Sequence, residues 1–144
     1  MNPDHAIARE IVIDAPAEVV WQTITEPDRI SLWFADRVDV EIRVGEAGDL
    51  VFDNELSGGE SVVSIVVEAL ERPQRFAFRW GHGVGLSTLV EFTLEAESPE
   101  RTLLRVVETG LAETGWTDEV TSRYVEDHRE GWEFHLHRLA DVLQ

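Results

Sequence analysis

Five histidines, one tyrosine and a series of aromatic rings are the residues of this chain best suited to chemistry. His128 and His135 are seven apart, so a helix through them places both on one face, about 10 Å apart. His137 lies two residues further on and points elsewhere. A shared metal on one helix needs ligands at i and i+4, which neither spacing provides. Glu126, Asp127, Glu130 and Glu133 read as solvated neighbours. No metal and no cofactor are therefore expected. Tyr124 and His128 are instead placed to donate hydrogen bonds to a bound molecule. His82, in Gly81-His82-Gly83-Val84-Gly85, reads as an exposed histidine of a turn between strands. That glycine run opens no helix, so it is not a phosphate loop. Ser87 and Ser122 lack an adjacent base, no G-x-S-x-G occurs, and no carboxylate pair stands out for acid–base work. No catalytic residue is assigned.

The larger signal is apolar. Trp33, Phe34, Phe52, Phe76, Phe78, Trp80, Phe92, Tyr124 and Trp132 fall at inward or lid positions. With His128 they form the candidate ligand-binding set, because ligand pockets are mostly apolar with a few fixed polar groups. Arg79 and Arg105 fall on the opposite parity and are expected to face water beside glutamates. Gly131 precedes Trp132 inside a helical segment, where glycine costs roughly 1 kcal/mol against alanine. Close approach of the helix to its neighbour is the expected reason.

Elements with distinct periods must position these groups. Ala6–Asp14 alternates as a strand, with Ile7, Ile11 and Ile13 on one face. Pro16 then suits a first helical turn, and Ala17, Val20, Trp21 and Ile24 make an apolar stripe. Pro27 ends that helix and begins a short second one carrying Ile30, Trp33 and Phe34. From there the period is two. Strands are expected at Val38–Ile42, Leu50–Phe52, Ser61–Leu70, Arg75–Trp80, Thr88–Glu97 and Thr102–Glu108, with turns around Gly45–Gly48, Asn54–Gly59, Arg72–Gln74, Gly81–Gly85 and Ser98–Glu100. In the last strand Leu104 and Val106 oppose Leu103, Arg105 and Val107. Glu119–Leu143 returns to a helical period, roughly 25 residues or about 37 Å long. A sheet with one wet face must bury the other, and the long helix is the element expected to cover it. The sheet curling around that helix leaves a cavity, expected toward the helix's N-terminal half. Leu50–Phe52 is expected as an exposed edge strand that can pair between subunits, so monomer and homodimer both stay open.

Several of these segments together resemble a known family. They are Ile13-Asp-Ala-Pro-Ala-Glu-Val-Val-Trp21, Trp33-Phe34, Gly45 with Gly48, Leu70-Glu-Arg-Pro73-Gln-Arg-Phe76 with Trp80, and Gly131-Trp132-Glu-Phe-His-Leu-His-Arg-Leu139. Their order and spacing resemble the START-like (SRPBCC, Bet v 1-like) superfamily. Within it they are similar to bacterial proteins related to the C-terminal domain of the Hsp90 ATPase activator Aha1. The resemblance implies an α+β helix-grip fold: a curved antiparallel sheet wrapped around a long C-terminal helix, with two short helices after the first strand. It implies function only loosely, since the superfamily hosts lipid carriers, hormone receptors, polyketide cyclases and co-chaperone domains.

Composition excludes other classes. Twelve basic against twenty-nine acidic residues give a net charge of −17, and every basic residue is arginine. That balance disfavours nucleic acid and anionic membranes. There is no cysteine, hence no disulfide, zinc–thiolate site or thiol nucleophile. No basic-then-apolar leader and no membrane-length apolar run are visible, so one cytoplasmic domain over residues 1–144 is expected. The expected function is non-enzymatic binding of a small apolar or amphipathic molecule. The alternatives are a polyketide cyclase-like enzyme and a stress or interaction protein that contacts an Hsp90-type chaperone.

Overall fold

The computed structural model describes residues 6–54, 59–81, 87–111 and 115–143. The chain opens with β1 (Ile7–Ile13), α1 (Ala17–Thr25) and α2 (Pro27–Trp33). Six strands follow: β2 (Arg37–Asp39), β3 (Ala47–Asn54), β4 (Gly59–Glu71), β5 (Arg75–Gly81), β6 (Ser87–Ser98) and β7 (Arg101–Thr109). The 25-residue α3 (Asp118–Val142) closes the chain. The seven strands form one antiparallel sheet in the order β1-β7-β6-β5-β4-β3-β2. Thus β2 to β7 make a meander, and β1 returns to pair with β7, Ile7 opposite Glu108 and Ile13 opposite Thr102. This is the α+β helix-grip architecture.

Strand alternation sets which side chains enter the core. Phe76, Phe78 and Trp80 of β5, Val90, Phe92 and Leu94 of β6, and Leu104 and Val106 of β7 are all buried. Arg79 and Arg105 are exposed on the other face, and Arg79 pairs with Glu68 at 2.8 Å. A bulge between Val67 and Ala69 resets β4, so Leu70 lies opposite Phe76 and packs, half-buried, against the core.

The helices also share the inner face. Val20, Trp21, Ile24, Ile30 and Trp33 belong to the same buried cluster as Phe76, Phe92, Leu104 and Leu136. The expectation that the long helix alone covers the sheet is therefore corrected: α1 and α2 cover part of it. Trp33 Nε1 donates to the Thr23 carbonyl at 2.9 Å, which ties α2 to α1. The last carbonyls of α2 have no partner within their own helix. α3 supplies donors, Arg138 to Leu32 O at 3.2 Å and His135 Nδ1 to Trp33 O at 3.3 Å. α3 itself starts at Thr117, whose side chain accepts from Val120 N at 3.2 Å. Its buried stripe is Thr121, Val125, Trp132, Leu136 and Leu139.

Two strand expectations change. The segment expected as Val38–Ile42 is a strand only at Arg37–Asp39. Beyond it the chain leaves the sheet edge through turns at Glu41–Arg43 and Arg43–Glu46, and Gly45 adopts φ +90°. Gly48 permits the return, since a side chain there would collide with the backbone of Asp39 and Val40. Leu50–Phe52 is not an outer edge either. Asp39↔Asp49 to Arg37↔Val51 pair on one side, and β4 pairs on the other. Of the turns expected at Asn54–Gly59 and Gly81–Gly85, residues 55–58 and 82–85, with His82, lie outside the described residues, and Asn54, Gly59 and Gly81 end or begin strands.

Candidate functional site

A cavity of about 430 Å³ lies between the sheet and the middle of α3. Its apolar wall is Phe34, Phe52, Val63, Trp80 and Trp132. Ser61, Asp127, His128, Gly131 and His135 supply the rest. Phe34 is central. It follows α2 directly, stacks on Trp132 at 5.3 Å between centroids, and meets Phe52 edge-on at 5.4 Å and His135 edge-on at 5.0 Å. Trp80 stacks on Trp132 at 5.6 Å and lies 6.0 Å from Phe34, so the three rings form one cluster.

Larger depressions elsewhere, one of about 500 Å³ beside Ala47, Ile65, Val66 and Trp80 among them, gather fewer aromatic rings. One of about 580 Å³ is lined by Asp14, Glu97, Ser98, Glu100 and Arg101 and is mainly polar. Another of about 650 Å³ runs along the end of α1 beside Glu26, Glu41 and Arg72.

Behind the aromatic wall sits Glu108, fully buried. It is the last inward position of β7, following Thr102, Leu104 and Val106. Five donors converge on its carboxylate. Oε2 accepts from Thr88 Oγ1 at 2.7 Å, from Trp80 Nε1 at 3.1 Å and from the Tyr124 hydroxyl. Oε1 accepts from His128 Nδ1 at 3.1 Å and from Trp132 Nε1 at 3.2 Å. A carboxylate offers about four lone-pair sites, so this one is saturated. Burial by itself would push its pKa up, but the His128 hydrogen bond and charge, then Tyr124 and Thr88, outweigh it. The net result holds it down at about 2, so Glu108 is ionised at neutral pH. Burial first, then the charge and hydrogen bond of Glu108, push the Tyr124 hydroxyl up, so it remains a donor. Tyr124 also stacks on His128 at 3.7 Å, and Trp80 meets His128 edge-on at 5.8 Å.

The structure sorts the candidate residues into three groups. Phe34, Phe52, Trp80, His128 and Trp132 line the cavity. Trp33, Phe76, Phe78 and Phe92 lie deeper, around a void of about 10 Å³, and fill the core. Tyr124 lines neither and turns its hydroxyl to Glu108. His128 likewise spends Nδ1 on Glu108 rather than on a ligand. On α3 the cavity is bordered by Asp127, His128, Gly131, Trp132 and His135, so it straddles the middle of the helix rather than its N-terminal half. Gly131 is also reassigned. A Cβ there would meet nothing within 4 Å, so the glycine marks open space at the cavity and not a close approach.

Glu108, His135 and Asp127 were not among the candidate site residues. The signal for Glu108 was its parity, since it continues the buried face of Thr102, Leu104 and Val106. His135 lies seven residues from His128, one face of α3 carrying both. Asp127 had no distinguishing sequence signal. Among the described residues no group of three or more histidine, aspartate or glutamate side chains could hold a metal. Among the described residues no helix is long and apolar enough to cross a membrane.

Comparison with solved structures returns the same fold. DynU16, a protein in the dynemicin biosynthetic locus, is 27% identical with a TM-score of 0.76, over 98% of this chain and 48% of that one. The chain thus spans about half the length of DynU16. MLL2253 from Mesorhizobium loti is 22% identical with a TM-score of 0.77, over 96% of both chains. CalU16 from Micromonospora echinospora is 24% identical with a TM-score of 0.73, over 96% of this chain and 76% of that one. No curated protein matches. The family model for Activator of Hsp90 ATPase homolog 1-like protein matches residues 14–144, which takes in every element from α1 to α3, and the chain belongs to that family.

Proposed function

We propose that this protein binds a small, flat, apolar or amphipathic molecule in the cavity between the sheet and α3, without transforming it. One observation carries the reading: a space of about 430 Å³ walled by Phe34, Phe52, Trp80 and Trp132. That volume lies within the usual range of small-molecule sites, about 300–1,000 Å³. The rings are already held in place, so little ordering cost opposes binding. The link of DynU16 to a biosynthetic locus agrees with a small-molecule ligand. Titration with an aromatic fluorescent probe tests this reading. Saturable binding that quenches tryptophan emission is expected, with Trp80 and Trp132 in the wall. Absence of binding by any apolar probe would overturn it.

A second reading is favoured by His128 and His135, two imidazoles on one cavity. Glu108 fixes the Nδ1 edge of His128, as an orienting carboxylate does for a general base. A proton-transfer enzyme of the polyketide cyclase type would need such a pair. Native mass spectrometry of co-purified material separates the readings: an unchanged ligand supports binding, a converted one catalysis. The family's name also raises contact with an Hsp90-type chaperone, which an unchanged ATPase rate of a bacterial Hsp90 would remove.

A further inference from the structure

We infer that the cavity's ligand is an uncharged aromatic molecule bearing a hydroxyl that donates to His135 Nε2, and that carboxylated analogues are excluded. The inference deepens the binding reading above and rests on it.

The hydroxyl follows from the state of His135. Its Nδ1 lies 3.3 Å from the Trp33 carbonyl, which can only accept, so Nδ1 carries the proton. Burial lowers the pKa of the ring, only partly offset by that carbonyl, and the charges of Arg138 and His128 lower it further. The imidazole is therefore neutral at pH 7, and Nε2 holds a lone pair. Among the described residues no hydrogen bond uses that atom, and among them the one buried side-chain nitrogen or oxygen without a partner is Arg9 Nε. Nε2 is therefore not sealed away without a partner, and His135 is one of the residues that line the cavity. The edge-on rings of Phe34 at 5.0 Å and Trp132 at 6.1 Å flank the imidazole, so a flat ligand against them presents its rim to Nε2.

Exclusion of anions follows from charge. The chain has no lysine, and its twelve arginines all lie within the described residues. None of them lines the cavity. A ligand carboxylate would therefore find no arginine or lysine to pair with; the charge of His128 at the cavity is already matched by Glu108, and Asp127 would repel a second anion.

Three two-ring probes separate the possibilities: 2-naphthol, 2-methoxynaphthalene and 2-naphthoate, titrated at pH 7.5 with tryptophan fluorescence. The expected order is 2-naphthol tightest, by roughly three- to tenfold over 2-methoxynaphthalene as one buried hydrogen bond provides, with 2-naphthoate weakest. His135→Phe should erase the 2-naphthol advantage and keep 2-methoxynaphthalene binding. If that variant fails to fold, the wild-type order alone decides. Equal affinity for 2-naphthol and 2-methoxynaphthalene, or a preference for 2-naphthoate, overturns the inference while leaving the binding reading in place. Failure of all three probes overturns both.

Discussion

Trp132 Nε1 donates to Glu108 Oε1 at 3.2 Å, and that bond fixes the plane of a ring which faces the cavity. The indole stacks on both Phe34 and Trp80, which also lie against each other, and Trp80 is anchored to the other oxygen of the same carboxylate. His128 is held there too. One buried acid from β7 thus orients three cavity rings from two other elements. A wall of unanchored rings would lose more rotamer freedom on binding, so the carboxylate acts as a positioning group for the whole site.

Replacing Glu108 should therefore be costly. In Glu108→Gln the amide offers one oxygen to five donors and brings an NH₂ that faces the same donors. Removing one partner of a buried pair costs about 3–5 kcal/mol. For a chain of this size that lowers the melting temperature by on the order of 10 °C. Urea denaturation with the variant measures it. A loss under 1 kcal/mol would mean that Glu108 is not the hub its contacts describe.

The same carboxylate predicts acid sensitivity. Its folded pKa is about 2 against an ordinary 4.5, so the unfolded chain binds more protons between those values. Stability from Glu108 is fully present above pH 4.5 and is lost as pH falls toward 2, on the order of 3 kcal/mol in all. His135 adds an earlier step. Its folded pKa lies below the ordinary 6.5, so its contribution is full above that value and declines as pH falls through the range beneath it. The groups involved are Glu108 with His128, Tyr124, Thr88, Trp80 and Trp132, and His135 with Arg138 and His128. Thermal scans from pH 8 to 2.5 should show both declines. Glu108→Gln should flatten the lower one and His135→Phe the upper.

Much of this fold was readable from period and punctuation. The burial of Phe76, Phe78 and Trp80 follows from alternation, as does the exposure of Arg79. What alternation does not state is pairing. That β1 adds to β7 depends on partners far apart in the chain, Ile7 opposite Glu108. Glu108 shows the boundary most clearly. Parity places it inward, yet an isolated carboxylate in a core is too costly to expect without its donors. Those donors come from β5, β6 and α3, and only the folded topology brings Trp80, Thr88, Tyr124, His128 and Trp132 to one point. Tyr124 and His128 read as ligand donors for the same reason: their real acceptor was invisible. Gly131 was noticeable as an unfavourable helix residue, but whether it meets a neighbour or a void is a three-dimensional fact.

The acidic composition makes a separate prediction. Arginines pair with carboxylates across the surface, as Arg43 does with Glu41 and Glu46, and Arg75 with Glu71 and Glu91. Exposed pairs of this kind contribute about 0–1 kcal/mol each. A net charge of −17 leaves many acids without a basic counterpart, so repulsion should exceed attraction. Raising sodium chloride from 10 to about 300 mM shortens the Debye length to below 10 Å. The melting temperature should rise by several degrees at neutral pH. A fall would show that the ion pairs dominate.

Gly131 offers the most direct test of where a ligand sits. A Cβ at this position meets nothing, and the residue borders the cavity from the middle of α3. Gly131→Ala should stabilise the helix by up to about 1 kcal/mol, since alanine is the better helix former and no atom must move. Gly131→Leu gains similar helix propensity and extends its side chain into space enclosed by Phe34, Trp80 and Trp132. Its melting temperature should equal or exceed that of the wild type. Its affinity for 2-methoxynaphthalene should fall at least tenfold, because the leucine occupies the volume the probe needs. The paired readout matters: lost binding with retained stability is the signature of a filled cavity, whereas a damaged fold would lower both. Retained affinity in a stable Gly131→Leu protein would place the ligand elsewhere.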